Sequence, residues 1–400
     1  MHALVATVVH HPEDARILHR QIRALLDAGH TVTYIAPFRE LGVTPWPTLT
    51  TVDVPRATGR RRLRALRAAR AALAAHAPTA DILLVHDPEL LLVLPRAETP
   101  MVWDVHEDTA ASILTKPWVP RPLRRPLMPL ARQVERRAER RLHLLLAEDG
   151  YRNRFRAPHP VIPNTTHVPE QPPKRVSDGP VVYLGALSMA RGAAELVQIA
   201  HRIRPHGVRM DVIGPADSEA RPLLRQAQRD GVLDWYGYVP NDQALRMVRG
   251  ALAGLCLLHD TPNYRRSLPT KVVEYMAQGV PVVTTPNPQA QGLVTGQTQG
   301  HCGTVVPYRS PDSAAAALLR LRGNPGLRYA YGRTGHRIAR EYFHWPVQAA
   351  QFVASLEDWA GVAPARAPAA RPDPGPAASG AVPNPGSAGS GIDPLRVHPS

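Results

Sequence analysis

Short apolar runs alternate with helical patterns along most of this 400-residue chain, and this alternation restricts the fold more than any other feature. Strand and helix in repeated alternation are typical of parallel sheets that carry helices on both faces. The predicted strands are Leu4 to Val9, Thr31 to Ala36, Ile82 to His86, Met101 to Val105, Leu142 to Ala147, Val181 to Leu184, Arg209 to Ile213, Leu233 to Tyr236, Gly254 to Leu258, Val280 to Thr284 and Gly303 to Val306. A chain of this length usually forms more than one hydrophobic core. The sequence therefore predicts an α/β protein with two doubly wound domains.

A proline-rich stretch without periodicity, THVPEQPPKRVSDGP, separates two α/β runs of similar size. We predict one domain over 1–165 and another over 181–343, joined by this linker at 166–180 and facing each other across a cleft. Residues 344–360 are predicted to form a last helix, whose apolar face contains Val347, Ala350, Phe352 and Leu356. Residues 361–400 are rich in Ala, Pro, Gly and Ser, so we expect a disordered tail there.

The chain carries a net charge of +15, and arginine supplies nearly all of the positive charge because only three lysines occur. The arginines cluster at 56–70 and 121–141, both in the first half. Such clusters indicate either contact with an anionic membrane or a solvated surface of biased composition, and both alternatives stay open. Nucleic acid is not expected as a partner, because an aromatic content of 5% leaves few rings for base stacking.

The N-terminal stretch MHALVATVVHH has no basic region and no cleavage site, so it is predicted to be a strand and not a signal peptide. No apolar run approaches the roughly 18 residues that a membrane-spanning helix needs. Cys256 and Cys302 lack metal-ligand or disulfide spacing and are predicted to be small core residues. We therefore expect a cytoplasmic protein, with peripheral contact at the inner face of the membrane as an open alternative.

Residues 267–285, SLPTKVVEYMAQGVPVVTT, read as a helix that leads into a buried strand. Ser267 is predicted to be the N-cap of this helix. Lys271 and Glu274 are three residues apart and therefore lie on one helical face. A lysine in a first helical turn can bind an anion together with the helix dipole. A carboxylate one turn deeper can accept hydrogen bonds from both hydroxyls of a ribose. The open alternative is an exposed ion pair, which stabilises a protein by less than about 1 kcal/mol.

Two further strand ends carry candidate residues. Gly185 follows an apolar strand in GALSMAR, and Arg191 in the same stretch could bind a diphosphate at the start of the next helix. His106 follows a strand in VWDVHED and could hydrogen-bond a substrate hydroxyl. No metal site is predicted, because the histidines and carboxylates form no recognisable ligand set.

Several ordered stretches resemble glycosyltransferase family 4 across about residues 1–360. These stretches are DARILHRQIRALLDAGHTVTYIA, VWDVHED, VIPN, VVYLGALSMARGAAEL, WYGYVPNDQAL and SLPTKVVEYMAQGVPVV. The resemblance implies a GT-B fold, in which two Rossmann-like domains face a cleft and the last helix, here 344–360, crosses back onto the first domain. It also implies a retaining enzyme that uses a nucleotide diphosphate sugar and no metal or other cofactor.

The resemblance also assigns roles to residues. It places Gly185, Arg191 and Lys271 at the donor diphosphate, Glu274 at the ribose and His106 as the catalytic residue near the transferred sugar. Arg266 stands where the family often has a glutamate, and Ala186 stands where it often has an arginine. We expect Arg265 or Arg266 to compensate by contacting the donor sugar or a phosphate.

The sequence thus predicts transfer of a sugar to a cell-envelope, polysaccharide or secondary-metabolite acceptor. The nucleotide, the sugar and the acceptor are left open. One alternative with the same fold is an epimerase or hydrolase of nucleotide sugars, for which we would expect more carboxylates in the cleft. A less favoured alternative is an arginine-rich protein that binds nucleic acid.

Overall fold

A computed structural model of the protein describes residues 1–114, 119–172, 179–265, 267–296 and 300–363. Within these ranges the chain forms two six-stranded parallel sheets. The first contains β1 (His2–Ala6), β2 (Thr31–Ala36), β3 (Thr50–Asp53), β4 (Ile82–Val85), β5 (Met101–Val105) and β6 (His143–Leu146). The second contains β7 (Val181–Leu184), β8 (Met210–Ile213), β9 (Asp234–Gly237), β10 (Ala253–Cys256), β11 (Val282–Thr284) and β12 (Gly303–Val305). The predicted α/β fold with two doubly wound sheets is confirmed.

The two sheets have the same strand order, β3-β2-β1-β4-β5-β6 in the first and β9-β8-β7-β10-β11-β12 in the second. In each sheet, the second and third strands in chain order lie on one side of the first strand, and the fourth, fifth and sixth lie on the other. In sheets of this type, ligands bind beyond the carboxyl ends of the strands, at the point where the order reverses. The loops after β1, β4, β7 and β10 are therefore the positions in which this fold places a site.

The helices of the first half are α1 (Arg23–Asp27), α2 (Phe38–Leu41), α3 (Arg62–His76), α4 (Thr109–Ile113) and α5 (Arg121–Glu139). Those of the second half are α6 (Ala193–Ile203), α7 (Ala220–Arg229), α8 (Asn241–Val248), α9 (Pro262–Arg265), α10 (Thr270–Ala277), α11 (Pro288–Thr295), α12 (Pro311–Gly323), α13 (Pro325–Tyr342) and α14 (Trp345–Trp359). Short 3-10 helices cover Gly59–Arg61, Ala77–Thr79, Pro88–Leu92, Asp149–Arg154, Met189–Arg191 and Arg204–His206, and a π-helix covers Ile17–Ile22.

Both faces of the sheets are buried, as parallel sheets require. In β1, Leu4 and Ala6 belong to one core cluster, whereas Ala3 and Val5 belong to another on the opposite face. This burial on both faces explains why the strands read as continuous apolar runs and not as alternating ones. Cys256 and Cys302 are fully buried free thiols, as expected.

Some local features differ from the predictions. β1 ends at Ala6 and not at Val9, and beyond it the backbone amides of Val8 and Val9 donate to the Asp87 carboxylate instead of to a neighbouring strand. β3 was not predicted, because its sequence TTVD is polar and its side chains are only partly covered. The predicted N-cap Ser267 does not cap α10; Pro269 holds that position, and the Ser267 hydroxyl donates elsewhere.

The last helix, α14, packs on the first half of the chain. Trp345, Phe352 and Leu356 are buried there with the residues of β1 and β2, while Val347 of the predicted apolar face is 66% exposed. The Glu357 carboxylate lies 2.9 Å from Nε2 of His30, which fixes the helix at its far end. The predicted linker is described except for 173–178, and residues 364–400 of the predicted tail lie outside the described ranges.

Candidate active site

Two adjoining cavities lie between the carboxyl ends of the two sheets. The first, of about 250 Å³, is lined by His106, Glu148, Asn164, Leu184, Gly185, Arg191, Leu258, Tyr264, Ser267, Leu268, Pro269, Thr270, Lys271 and Glu274. We call it the donor cavity, because the resemblance described above predicts that a nucleotide sugar, the donor, binds at Lys271 and Glu274. The second, of about 380 Å³, is lined by Val9, His10, His86, Asp87, Pro88, Glu89, Trp103, His106, Glu107, Thr109, Tyr151, Arg191, Tyr264 and Ser267. We call it the acceptor cavity, after the role predicted for the first half of the chain. The residues common to both cavities are His106, Arg191, Tyr264 and Ser267.

Lys271 supplies an unpaired positive charge to the donor cavity. It lies in the first turn of α10 and is 9% exposed, and its Nζ has no hydrogen-bond partner among the described residues. The ammonium group sits 3.7 Å above the ring centre of Tyr183. Burial lowers the pKa of Lys271 to about 7. An anionic ligand would therefore gain more from this lysine than from a solvated one, because the buried ammonium contacts the Tyr183 ring but has no hydrogen-bond partner among the described residues.

Gly185 and Arg191 complete this side of the cavity. Gly185 has a φ of +104°, which favours glycine, and a Cβ there would lie 3.7 Å from Nζ of Lys271. The Arg191 guanidinium donates to the Ala186 carbonyl at 3.0 Å and to the Tyr264 hydroxyl at 3.3 Å. These bonds hold the arginine at the junction of the two cavities.

Glu274 lies one turn below Lys271 and is 5% exposed. Its Oε1 accepts from Asn241 at 3.0 Å and from Arg20 at 3.5 Å. Both of these hydrogen bonds from described residues fall on Oε1, which leaves Oε2 for a ligand. The alternative of an exposed ion pair between Lys271 and Glu274 is wrong, because both side chains are buried and the carboxylate pairs with Arg20 of the first half.

His106 faces the same cavity from the first sheet, with its Nε2 2.9 Å from Oδ2 of Asp104. Burial opposes ionisation of Asp104, but the Arg16 guanidinium outweighs it and holds the pKa of this carboxyl well below its usual range. The same Nε2 lies 2.9 Å from Nδ1 of His86. Because an ionised carboxylate only accepts, the contact with Asp104 favours the tautomer of His106 that carries its proton on Nε2 and presents Nδ1 as an acceptor. Burial lowers the pKa of His106 to about 4, so the ring is neutral at pH 7.

Asp104 is the fixed point of this network. Arg16 donates to both of its oxygens, at 2.7 and 2.8 Å, and Gln21 donates to Oδ2 at 2.7 Å. Ligand atoms of His86, Asp104 and His106 also lie within 4.8 Å of one another, close enough to hold a metal ion. The arrangement fits a hydrogen-bonded pair of Asp104 and His106 better than a metal site, because the Arg16 guanidinium already neutralises the Asp104 carboxylate and donates to both of its oxygens.

Of the two neighbouring arginines, the structure describes only Arg265, which is not among the lining residues of either cavity. Arg265 is exposed and donates to both oxygens of Asp260, at 2.7 and 2.9 Å. Arg266 lies outside the described residues. The expectation that one of them contacts the donor stays a prediction.

The structure adds residues that sequence reasoning did not assign. Glu148 and Asn164 line the donor cavity, and Tyr264 lines both cavities. Glu148 follows β6 almost directly, so the rule that sites lie at strand ends could have found it. Arg20 approaches Glu274 from a position 254 residues away in sequence, and no local pattern indicates that pairing.

Comparison with known proteins places these features in context. Residues 179–324 match the family model described as Glycosyl transferases group 1. A protein of Salmonella typhimurium named as a colanic acid biosynthesis glycosyltransferase, WcaL, is 26% identical over 169 residues. That match covers 40% of this chain and 41% of the relative, so less than half of the relative's length is matched.

Solved structures match over nearly the whole chain. Sucrose-phosphate synthase from Thermosynechococcus elongatus superposes with a TM-score of 0.69 at 17% identity, covering 90% of this chain and 98% of that one. HepE of Anabaena in complex with UDP-glucose superposes with a TM-score of 0.62 at 15% identity, covering 90% and 100%. These matches show the GT-B fold. Together with the family match, they support a glycosyltransferase.

Proposed function

We propose that this protein is a retaining glycosyltransferase that transfers a sugar from a nucleotide diphosphate sugar to a hydroxyl-bearing acceptor of a glycan or cell-envelope pathway. The observation that carries the proposal is the buried ammonium of Lys271 in the donor cavity, which has no hydrogen-bond partner among the described residues. Glu274 lies one turn deeper on the same helix and lines the same cavity. The UDP-glucose bound in the HepE structure supports a donor of this class.

The residues of the donor cavity would act on the leaving group. Lys271 and Arg191 would bind the diphosphate and stabilise the negative charge that develops as the glycosidic bond breaks. This charge compensation would allow transfer without a metal ion. Its test is turnover in the presence of excess EDTA, where loss of activity restored by a divalent ion would overturn metal independence.

The acceptor cavity is lined by polar groups that suit a hydroxylated molecule. His10 lies 3.5 Å from both Asp14 and Asp87 at one wall, and Glu89 and Glu107 line another. The neutral His106 lies at the junction with the donor cavity, where its free Nδ1 could accept a hydrogen bond from the reacting hydroxyl. Retention of configuration is tested by the anomeric proton of the first product in NMR spectra.

The ribose assignment predicts the effect of Glu274→Ala. We expect the variant to bind the nucleoside diphosphate about 10- to 100-fold more weakly, because charge-assisted hydrogen bonds to a buried ligand are lost. Calorimetric titration with UDP, GDP and ADP measures the change. Glu274→Gln, which can still accept from Arg20 and Asn241, separates the loss of the ligand contact from a loss of folding.

Glu341→Ala is the matched control, because this glutamate is exposed on α13 and pairs with Arg337. It should leave binding unchanged. Wild-type protein that binds none of the nucleotides would overturn the proposed function. Rapid hydrolysis or epimerisation of the sugar nucleotide without acceptor would favour the alternative reactions of this fold.

We extend the proposal to contact with an anionic membrane on the inner face of the cell. On α5, Leu123 and Leu130 are 50% and 55% exposed among exposed arginines, and Leu92 nearby is 67% exposed. Leu91, Leu92 and Arg137 line a surface cavity of about 520 Å³ beside this helix. Leucines between arginines suit the boundary of acyl chains and anionic headgroups. Among the described helices, none is long and apolar enough to cross a membrane.

This contact predicts a charge-reversal effect. Arg125→Glu with Arg136→Glu should weaken binding to phosphatidylglycerol vesicles about tenfold or more, because each basic residue near such a surface contributes about 1 kcal/mol. Co-sedimentation at low salt measures the change. The control reverses two exposed arginines of the second half, Arg225 and Arg320, and should bind as wild type does. Absence of wild-type binding, or equal loss in both variants, would contradict the proposal.

A further inference from the structure

Glu148 reaches from the first half of the chain to the second. It comes two residues after β6, an edge strand of the first sheet. Its Oε1 accepts from the Ser267 hydroxyl at 3.0 Å, and its Oε2 accepts from the Leu268 amide at 3.1 Å. Ser267 and Leu268 belong to the segment that leads into α10. Glu148 therefore connects the two walls of the donor cavity just before the start of α10.

The carboxylate of Glu148 keeps capacity for a ligand. Each of its oxygens accepts one hydrogen bond from a described residue, and a carboxylate offers about four acceptor positions. Burial raises the pKa of Glu148 to about 7, so the group has lost much of its water. A purely structural link could be made by an amide or hydroxyl side chain without the cost of burying a carboxylate.

The sheet register places Glu148 and His106 after the ends of neighbouring strands. Val105 of β5 pairs with Leu146 of β6, so His106 and Glu148 emerge from the ends of adjacent strands. Both line the donor cavity. Lys271 and Arg191 are the cations of this cavity, and Glu274 is its carboxylate one turn down α10. Glu148 is the other carboxylate among the described lining residues, and it lies on the His106 side.

We propose that Glu148 binds hydroxyl groups of the transferred sugar, so that the first half of the chain takes part in selecting the donor. This inference rests on the proposed function, because it needs a sugar nucleotide in the donor cavity. A carboxylate that accepts from two hydroxyls discriminates strongly between sugars, because a missing hydroxyl leaves a buried acceptor unpaired.

The experiment compares two affinities in the variant Glu148→Gln. UDP and UDP-glucose are titrated first, then GDP with GDP-mannose and ADP with ADP-glucose, and the pair that binds the wild type is used. We expect the variant to bind the nucleoside diphosphate within about twofold of wild type and the sugar nucleotide about tenfold more weakly. Asp149→Asn, at the exposed neighbouring position, is the control and should leave both affinities unchanged.

The outcomes separate the two proposals. Equal weakening of both ligands would show that Glu148 only links the walls, and this would overturn the inference while leaving the proposed function intact. Unchanged binding of both ligands would also overturn it. Wild-type protein that binds none of these pairs would overturn the proposed function and this inference with it. Thermal unfolding of Glu148→Gln, expected to match that of Asp149→Asn, shows that a changed ratio does not come from misfolding.

Discussion

Replacing Lys271 with methionine is expected to lower kcat/KM for the sugar nucleotide by about 100- to 1000-fold, which is the effect of removing one preorganised charge that faces a developing oxyanion. The ammonium is buried, has no hydrogen-bond partner among the described residues, and lies at the first turn of α10. Its charge is therefore available to the leaving diphosphate. Steady-state kinetics with the donor identified by titration measures the loss.

The control for this variant is Arg202→Met, which removes a cation that pairs with Asp312 on the surface. Its kcat/KM should equal that of the wild type. Methionine fills the space of the lysine stem, so Lys271→Met should fold normally. A Lys271→Met enzyme within a few-fold of wild-type activity would contradict the assignment of the donor phosphates to α10.

The same lysine predicts how donor binding depends on pH. Burial lowers the pKa of Lys271 to about 7 in the free protein, and a bound diphosphate raises it again by supplying negative charge. The protonated form binds the anion, so affinity should be greatest below pH 7 and fall by up to about tenfold per pH unit above it. Titrations between pH 6 and pH 9 measure this slope, which Lys271→Met should lack.

Asp104→Ala is expected to lower the free energy of unfolding by about 3–5 kcal/mol, because removing one partner of a buried ion pair leaves the other charge uncompensated. Arg16 is 4% exposed and Asp104 is fully buried, and Gln21 also loses its acceptor. Urea unfolding followed by tryptophan fluorescence measures the change. Activity of the folded variant should also fall, because His106 loses the group that fixes its proton on Nε2.

The matched control is Asp27→Ala, which breaks an exposed ion pair with Arg23 four residues away on the same helical segment. Such a pair contributes less than about 1 kcal/mol, so the control should unfold close to the wild type. Asp104→Asn keeps the size of the side chain and isolates the loss of charge. Equal stability of the Asp104 and Asp27 variants would show that the Arg16 pair is not a buried electrostatic centre.

Much of the fold follows from local patterns. Strands such as β7 were predictable because burial on both faces leaves an apolar run, whereas the polar edge strand β3 left no such signal. The helix α14 was predictable from its apolar residues, but the exposure of Val347 shows that a periodic pattern does not identify which residues meet a partner surface.

The sequence by itself determined the α/β class, the two sheets and the position of Lys271 and Glu274 on one helix, because strand and helix periodicity and strand-end positions are local properties of the chain. Only the tertiary structure decided that these two charges are buried, that Glu274 pairs with Arg20, and that Glu148 meets Ser267 across the cavity. Burial and charge pairing depend on residues far apart in sequence. The spacing of residues along the chain does not predict which distant residues the fold brings into contact.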